Sequence, residues 1–121
     1  TERRERIDDA INATRLAIEG GVTVGGGLTL RTHACEVEGC EPLYWGMLEP
    51  LLVLHKNQDM LPDWSLENPN VSINFKTMEY EDLLEAGVID PTEVVVNSLT
   101  AAVSIAKLVL LTDTIILPED A

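Results

Sequence analysis

Backbone chemistry is the first thing this chain offers. Gly20, Gly21, Gly25, Gly26 and Gly27 place five of its eight glycines within eight residues, between two well-patterned segments. Glycine is used where the chain takes positive φ or where another group must approach the backbone closely, and each one costs conformational entropy on folding. So dense a cluster marks a site or a very tight crossing. It is not a Walker-type phosphate loop, because Leu28-Thr29 follow Gly27 where a Lys and then a Ser or Thr are required. Nor is it a dinucleotide fingerprint, since the segment before Gly20 has helical rather than strand periodicity. The other gathering of reactive side chains is His33, Cys35 and Cys40, with His55 further along. Structural zinc sites usually carry a second cysteine pair, and none is present, so two ordinary thiols and no metal are expected.

These groups have to be held by the elements around them. From Glu2 to Glu19, Ile7, Ala10, Ile11, Thr14, Ala17 and Ile18 recur at steps of three and four among charged residues, which predicts an amphipathic helix stopped by Gly20. Beyond the glycines a second helix is expected over Leu28 to about Cys35, followed by a loop from Glu36 to Pro42. The apolar stretch Tyr44 to His55 reads as helix, kinked or divided by Pro50. An irregular connection then covers Lys56 to Pro69. Val71, Ile73 and Phe75 alternate with polar residues as a strand that pairs with Thr77 to Tyr80 in a hairpin, and Glu81 to Ala86 forms a short helical turn closed by Gly87. Asp90 is a ready N-cap and Pro91 suits the first helical position, so a helix is expected to start there and run to about Leu111. Its apolar residues cover nearly every face, which predicts burial. Asp113 to Leu117 is β-branched and short, a strand in need of a partner.

Composition narrows the functional classes. With 121 residues and 45% apolar content the chain suits one domain, or part of one. A net charge of −13 opposes nucleic acids and anionic membrane surfaces, both bound mainly through Lys and Arg. The uncharged apolar-rich run Val94 to Ala106 has 13 residues, short of a membrane span, so a soluble chain is expected. The start at Thr1 marks it as a processed or truncated piece of something longer.

Three separated blocks resemble consecutive landmarks of the group I, GroEL-like chaperonins. They are Arg6-Ile-Asp-Asp-Ala-Ile-Asn-Ala-Thr-Arg15, Gly21-Val-Thr-Val-Gly-Gly-Gly-Leu-Thr-Leu30, and Glu79-Tyr-Glu-Asp-Leu-Leu-Glu-Ala-Gly-Val-Ile-Asp-Pro-Thr92, in the family's order. Ser98 to Leu117 resembles the family's closing helix and strand, and the wording of the third block is most similar to the plastid and cyanobacterial branch. The resemblance implies a mainly α fold, a chaperonin equatorial-domain-like helical bundle with a small β-hairpin and a C-terminal strand. It places residues 1–19 as an intermediate-domain-like helix and residues 20–121 as part of an equatorial-like domain. It further implies an ATP-dependent protein-folding machine using Mg, with other chaperonin subunits as partners and unfolded proteins as clients, in a plastid stroma or bacterial cytoplasm.

Position by position, the resemblance implies that Asp9 orients the water attacking ATP, that Gly26 lies against the nucleotide, that Asn74 sits near the adenine, that Val88 forms an aliphatic wall and that Asp90 holds the ribose hydroxyls. A carboxylate one water away from a γ-phosphate is chemically suited to that task, because phosphoryl transfer is catalysed by positioning and electrostatics. Each residue has an ordinary reading beside this. Asp9 is a solvated helix-face residue, Asp90 an N-cap, Asn74 a turn residue, Val88 core, and the glycines a helix stop and crossing. The chain departs from the pattern at Phe75-Lys76, where the family has two small residues, and between Leu30 and Tyr44, which is shorter. The Gly-Asp-Gly-Thr-Thr-type phosphate loop and the magnesium aspartates have no counterpart here, so this polypeptide alone is not expected to hydrolyse ATP. The alternative is a chaperonin-derived accessory or structural subunit of a larger assembly that has lost the ATPase.

Overall fold

Four helices and two small antiparallel ribbons are formed by the described residues. The computed structural model describes residues 1–119. In order these are α1 (Glu2–Gly20), β1 (Val22–Val24), α2 (Leu28–Ala34), α3 (Glu41–Lys56), β2 (Val71–Asn74), β3 (Glu79–Asp82), β4 (Ile89–Pro91) and α4 (Thr92–Leu111). The mainly helical expectation holds, as do the helix ending at Gly20, the helix from Leu28, the irregular connection after Lys56 and the hairpin at Val71. Pro50 divides nothing, since α3 runs unbroken through it.

Two apolar clusters hold these elements. Val24, Leu28, Leu51 and Leu83, with Val88 against them, join β1, α2 and α3 to the segment before β4. Ala34, Met47 and Leu48 form the second cluster, covered in part by Leu99 of α4. Leu28 and Leu83 have almost no exposed surface. His55 is equally buried at the end of α3, where its Nδ1–H donates to the Leu51 carbonyl at 2.8 Å. The Phe75 ring packs edge-on against it with centroids 5.1 Å apart, tying the β2–β3 turn to α3.

Several expectations need correction. The helical turn expected over Glu81 to Ala86 starts later: Glu81 and Asp82 belong to β3, and a single turn follows in which the Asp82 carbonyl accepts from the Ala86 amide at 3.0 Å and Asp82 Oδ1 accepts from the Leu84 and Glu85 amides. That side chain caps the first amides of the turn, which have no carbonyl partner within it. Asp90 does not cap α4, because Ile89–Pro91 forms a strand and Pro91 takes the N-cap position. Tertiary pairing with β1 overrides the local capping signal. The helix α4 is not buried, and no residue in it is fully covered. Val96, Ile105, Leu108, Val109 and Leu110 all lie more than half exposed. It is also long and apolar enough to cross a membrane by length and composition, since it continues through Lys107 to Leu111 beyond the 13-residue uncharged run. Likewise Ile7, Ile11 and Ile18 on the expected stripe of α1 are exposed, although α1 lies against α4 and β4. Finally, Asp113 to Leu117 forms no strand. An isolated β segment leaves its backbone groups unpaired, and no strand of the described residues lies beside it.

Candidate functional site

The β1–β4 ribbon unites two motifs that lie more than sixty residues apart in the sequence. Its register sets Val22 opposite Pro91, Thr23 opposite Asp90 and Val24 opposite Ile89. The ladder extends at both ends, with the Thr92 amide donating to the Gly21 carbonyl at 3.1 Å and the Gly25 amide donating to the Val88 carbonyl at 2.8 Å. The glycine loop is thereby fastened to the Val88-Ile-Asp-Pro-Thr92 segment. Gly26 and Gly27 turn the chain from β1 into α2 with φ of 69° and 78°, a left-handed region costly for residues with a Cβ. A Cβ on Gly27 would stand 2.9 Å from the Leu51 amide nitrogen, so α3 crosses directly over the loop. The glycine cluster is thus both a tight crossing and a surface of bare backbone.

That surface floors a cleft of about 750 Å³. Gly26 and Gly27 contribute the floor, Glu49, Pro50 and Val53 one wall, and Asp90, Val94 and Ser98 the other. Asp90 is half-buried, and desolvation raises its carboxyl above the ordinary aspartate value. Protonation is therefore easier in the folded than in the unfolded chain. This contribution to stability is full below the unfolded-state pKa and is lost as pH rises through the raised folded-state value. Asp90→Asn is expected to flatten that fall, measured as unfolding free energy across the acid range; an unchanged pH profile would refute the assignment. Above its raised pKa the carboxylate is an acceptor only, suited to ligand hydroxyls.

Of the residues singled out in the sequence, the structure brings Gly26 and Asp90 together in the cleft. Val88 lies directly beneath, against the core and within contact distance of Gly25. Asn74 and Asp9 do not line the cleft. Asn74 ends β2, where its Nδ2 donates to Glu81 Oε1 at 2.6 Å and its Oδ1 accepts from the Lys76 amide at 3.0 Å. Asp9 is exposed on α1, eleven residues before Gly20 and therefore about 16 Å from it along the helix. Cys35 and Cys40 are exposed free thiols; His33 pairs with Glu36, and His55 is committed to Leu51. Sequence reasoning passed over Glu49, Ser98 and Glu81. No local signal marked them, since Glu81 was expected outside the hairpin and reaches Asn74 only because the observed register sets it opposite Ser72.

The chain is a member of the TCP-1/cpn60 chaperonin family, whose model matches residues 47–120. Its similarity to individual chaperonins reaches back over α1 and the glycine loop. It is 36% identical to chaperonin 60 subunit beta 2, chloroplastic, of Arabidopsis thaliana, over 98% of this chain and 23% of that protein. It is 35% identical to the RuBisCO large subunit-binding protein subunit beta, chloroplastic, of Pisum sativum, over 99% of this chain and 24% of the relative. The Secale cereale protein of the same description is also 35% identical, over 95% of this chain and 27% of its own length. The chain spans about a quarter of the length of these relatives.

Proposed function

We propose that these residues are the nucleotide-facing C-terminal part of a group I chaperonin subunit that folds client proteins with Mg-ATP in a multi-subunit assembly. In this reading residues 1–19 are the end of the intermediate domain and residues 20–121 the second half of the equatorial domain. The observation that carries it is the β1–β4 ladder, which sets Gly26 and Asp90 into one cleft. Bare backbone at Gly26 admits a flat, charged ligand closely, Asp90 accepts from ribose hydroxyls and Val88 backs the wall. Asn74 stands at the base and Asp9 orients the attacking water. The residues present suit the sugar and base end of a nucleotide; the phosphates and magnesium need donors that this stretch lacks.

Exposed apolar surface on α1 and α4 supports the assembly part of the reading, since contiguous apolar area of that kind marks a protein contact. The chloroplastic relatives point to a plastid stroma. Mg-ATP titration of the native protein tests the proposal, with micromolar affinity expected and Asp90→Ala weakening it by about tenfold, the worth of a charge-assisted hydrogen bond. No binding at millimolar Mg-ATP would overturn it. That outcome would favour a chaperonin-derived accessory subunit without ATPase, a reading to which the distant Asp9 lends support.

A further inference from the structure

We propose that Glu81 is a positioning residue that fixes the sense of the Asn74 carboxamide and so makes the site select a 6-amino purine over a 6-oxo purine. The inference rests on the reading of Asn74 as the base-facing residue. A carboxamide has two N–H donors and two lone pairs, and a half-turn of its terminal torsion exchanges the donor end with the acceptor end. A freely rotating asparagine can therefore complement adenine, which presents an amino donor beside a ring-nitrogen acceptor, or guanine, whose Watson–Crick edge presents an oxo acceptor beside an N–H donor.

In this protein the rotation is blocked at both ends. Glu81 Oε1 accepts from Asn74 Nδ2 at 2.6 Å, and a carboxylate can face only the NH₂ end. The Lys76 amide donates to Asn74 Oδ1 at 3.0 Å, and a backbone N–H can face only the oxygen. One N–H and one lone pair remain, in a single order. Both partners are built into the hairpin: Glu81 lies in β3, paired in register with Ser72 of β2, and Phe75 anchors the turn on buried His55. Asn74, Glu81 and Phe75 are all partly buried, which limits competition from water.

The test is the ratio of Mg-ATP to Mg-GTP affinity in the native protein and in Glu81→Ala, Glu81→Gln and Asn74→Ala. Glu81→Ala is expected to cut the preference for ATP about tenfold, the scale of one bidentate base contact, by freeing the carboxamide. Glu81→Gln, whose Oε1 can still accept, should recover most of the preference. A role confined to hairpin stability would lower both affinities and leave their ratio unchanged; that result overturns the proposal even if Glu81→Ala folds poorly, because Glu81→Gln is read the same way. If Asn74→Ala removes the preference while the Glu81 variants keep it, Glu81 alone loses its role. If Asn74→Ala changes neither affinity, the base-facing reading of Asn74 fails and the role of Glu81 with it.

Discussion

Gly27→Ala is expected to lower the unfolding free energy by about 3–4 kcal/mol, a large share of the roughly 5–15 kcal/mol that holds a domain together. Two costs add. Gly27 has φ of 78°, where a Cβ meets the following carbonyl and costs about 1–2 kcal/mol. The same Cβ would also lie 2.9 Å from the Leu51 amide nitrogen and 3.1 Å from its Cα, both in the backbone of α3. A helix backbone in a packed core cannot yield as a side chain can, and overpacking of this kind costs about 1–3 kcal/mol. Gly39→Ala is the control, since Gly39 has φ of 75° but nothing within 4 Å of a new Cβ. It should lose only about 1–2 kcal/mol. Denaturant unfolding of the native protein and both variants separates the two costs, and equal losses would mean that the α3 crossing adds nothing.

In a complete subunit that supplies the phosphate and magnesium ligands, Asp9→Ala is expected to lower the turnover of ATP by about 10²–10⁴-fold, the usual worth of a positioned general acid–base group, while nucleotide affinity stays within about twofold. The split follows from placement. Asp9 is exposed on α1 and outside the cleft that holds Gly26 and Asp90, so removing it takes nothing from the bound ligand. For Asp9 to act on a phosphate, α1 must bring it closer than the roughly 16 Å of helix that separates it from Gly20. The Gly20-Gly21 junction, with Gly21 at φ of 82°, is where the chain can turn. Steady-state kinetics with parallel binding measurements read both quantities. Unchanged turnover, or a matching loss of binding, would remove Asp9 from the chemistry.

Local signals and tertiary contacts divided this fold in a way that particular residues make plain. The helix from Glu2, its stop at Gly20, the helix from Leu28 and the strand at Val71 were legible because periodicity and glycine act within a few residues. The region around Asp90 was misread for the converse reason. Asp-Pro-Thr is a capping signal on its own, yet the residues pair with Val22–Val24, and hydrogen bonds to a strand 67 positions away outweigh one side-chain cap. The turn after β3 was expected too early, because Glu81 and Asp82 pair with Ser72 and Val71 across the hairpin and the turn starts only at Asp82, whose side chain caps it.

The candidate site follows the same division. Glycine density, the order of the three motif blocks and the net charge of −13 are properties of the sequence by itself, and they determined the family resemblance and argued against nucleic-acid partners. Only the tertiary structure decided that Gly26 and Asp90 share a cleft, that Asn74 is held by Glu81 and that α4 presents apolar residues outward. The physical reason is range. Propensity and capping are settled between neighbours in the chain, whereas a cleft wall, a locked carboxamide and the cover of a hydrophobic helix depend on which distant segments arrive beside them.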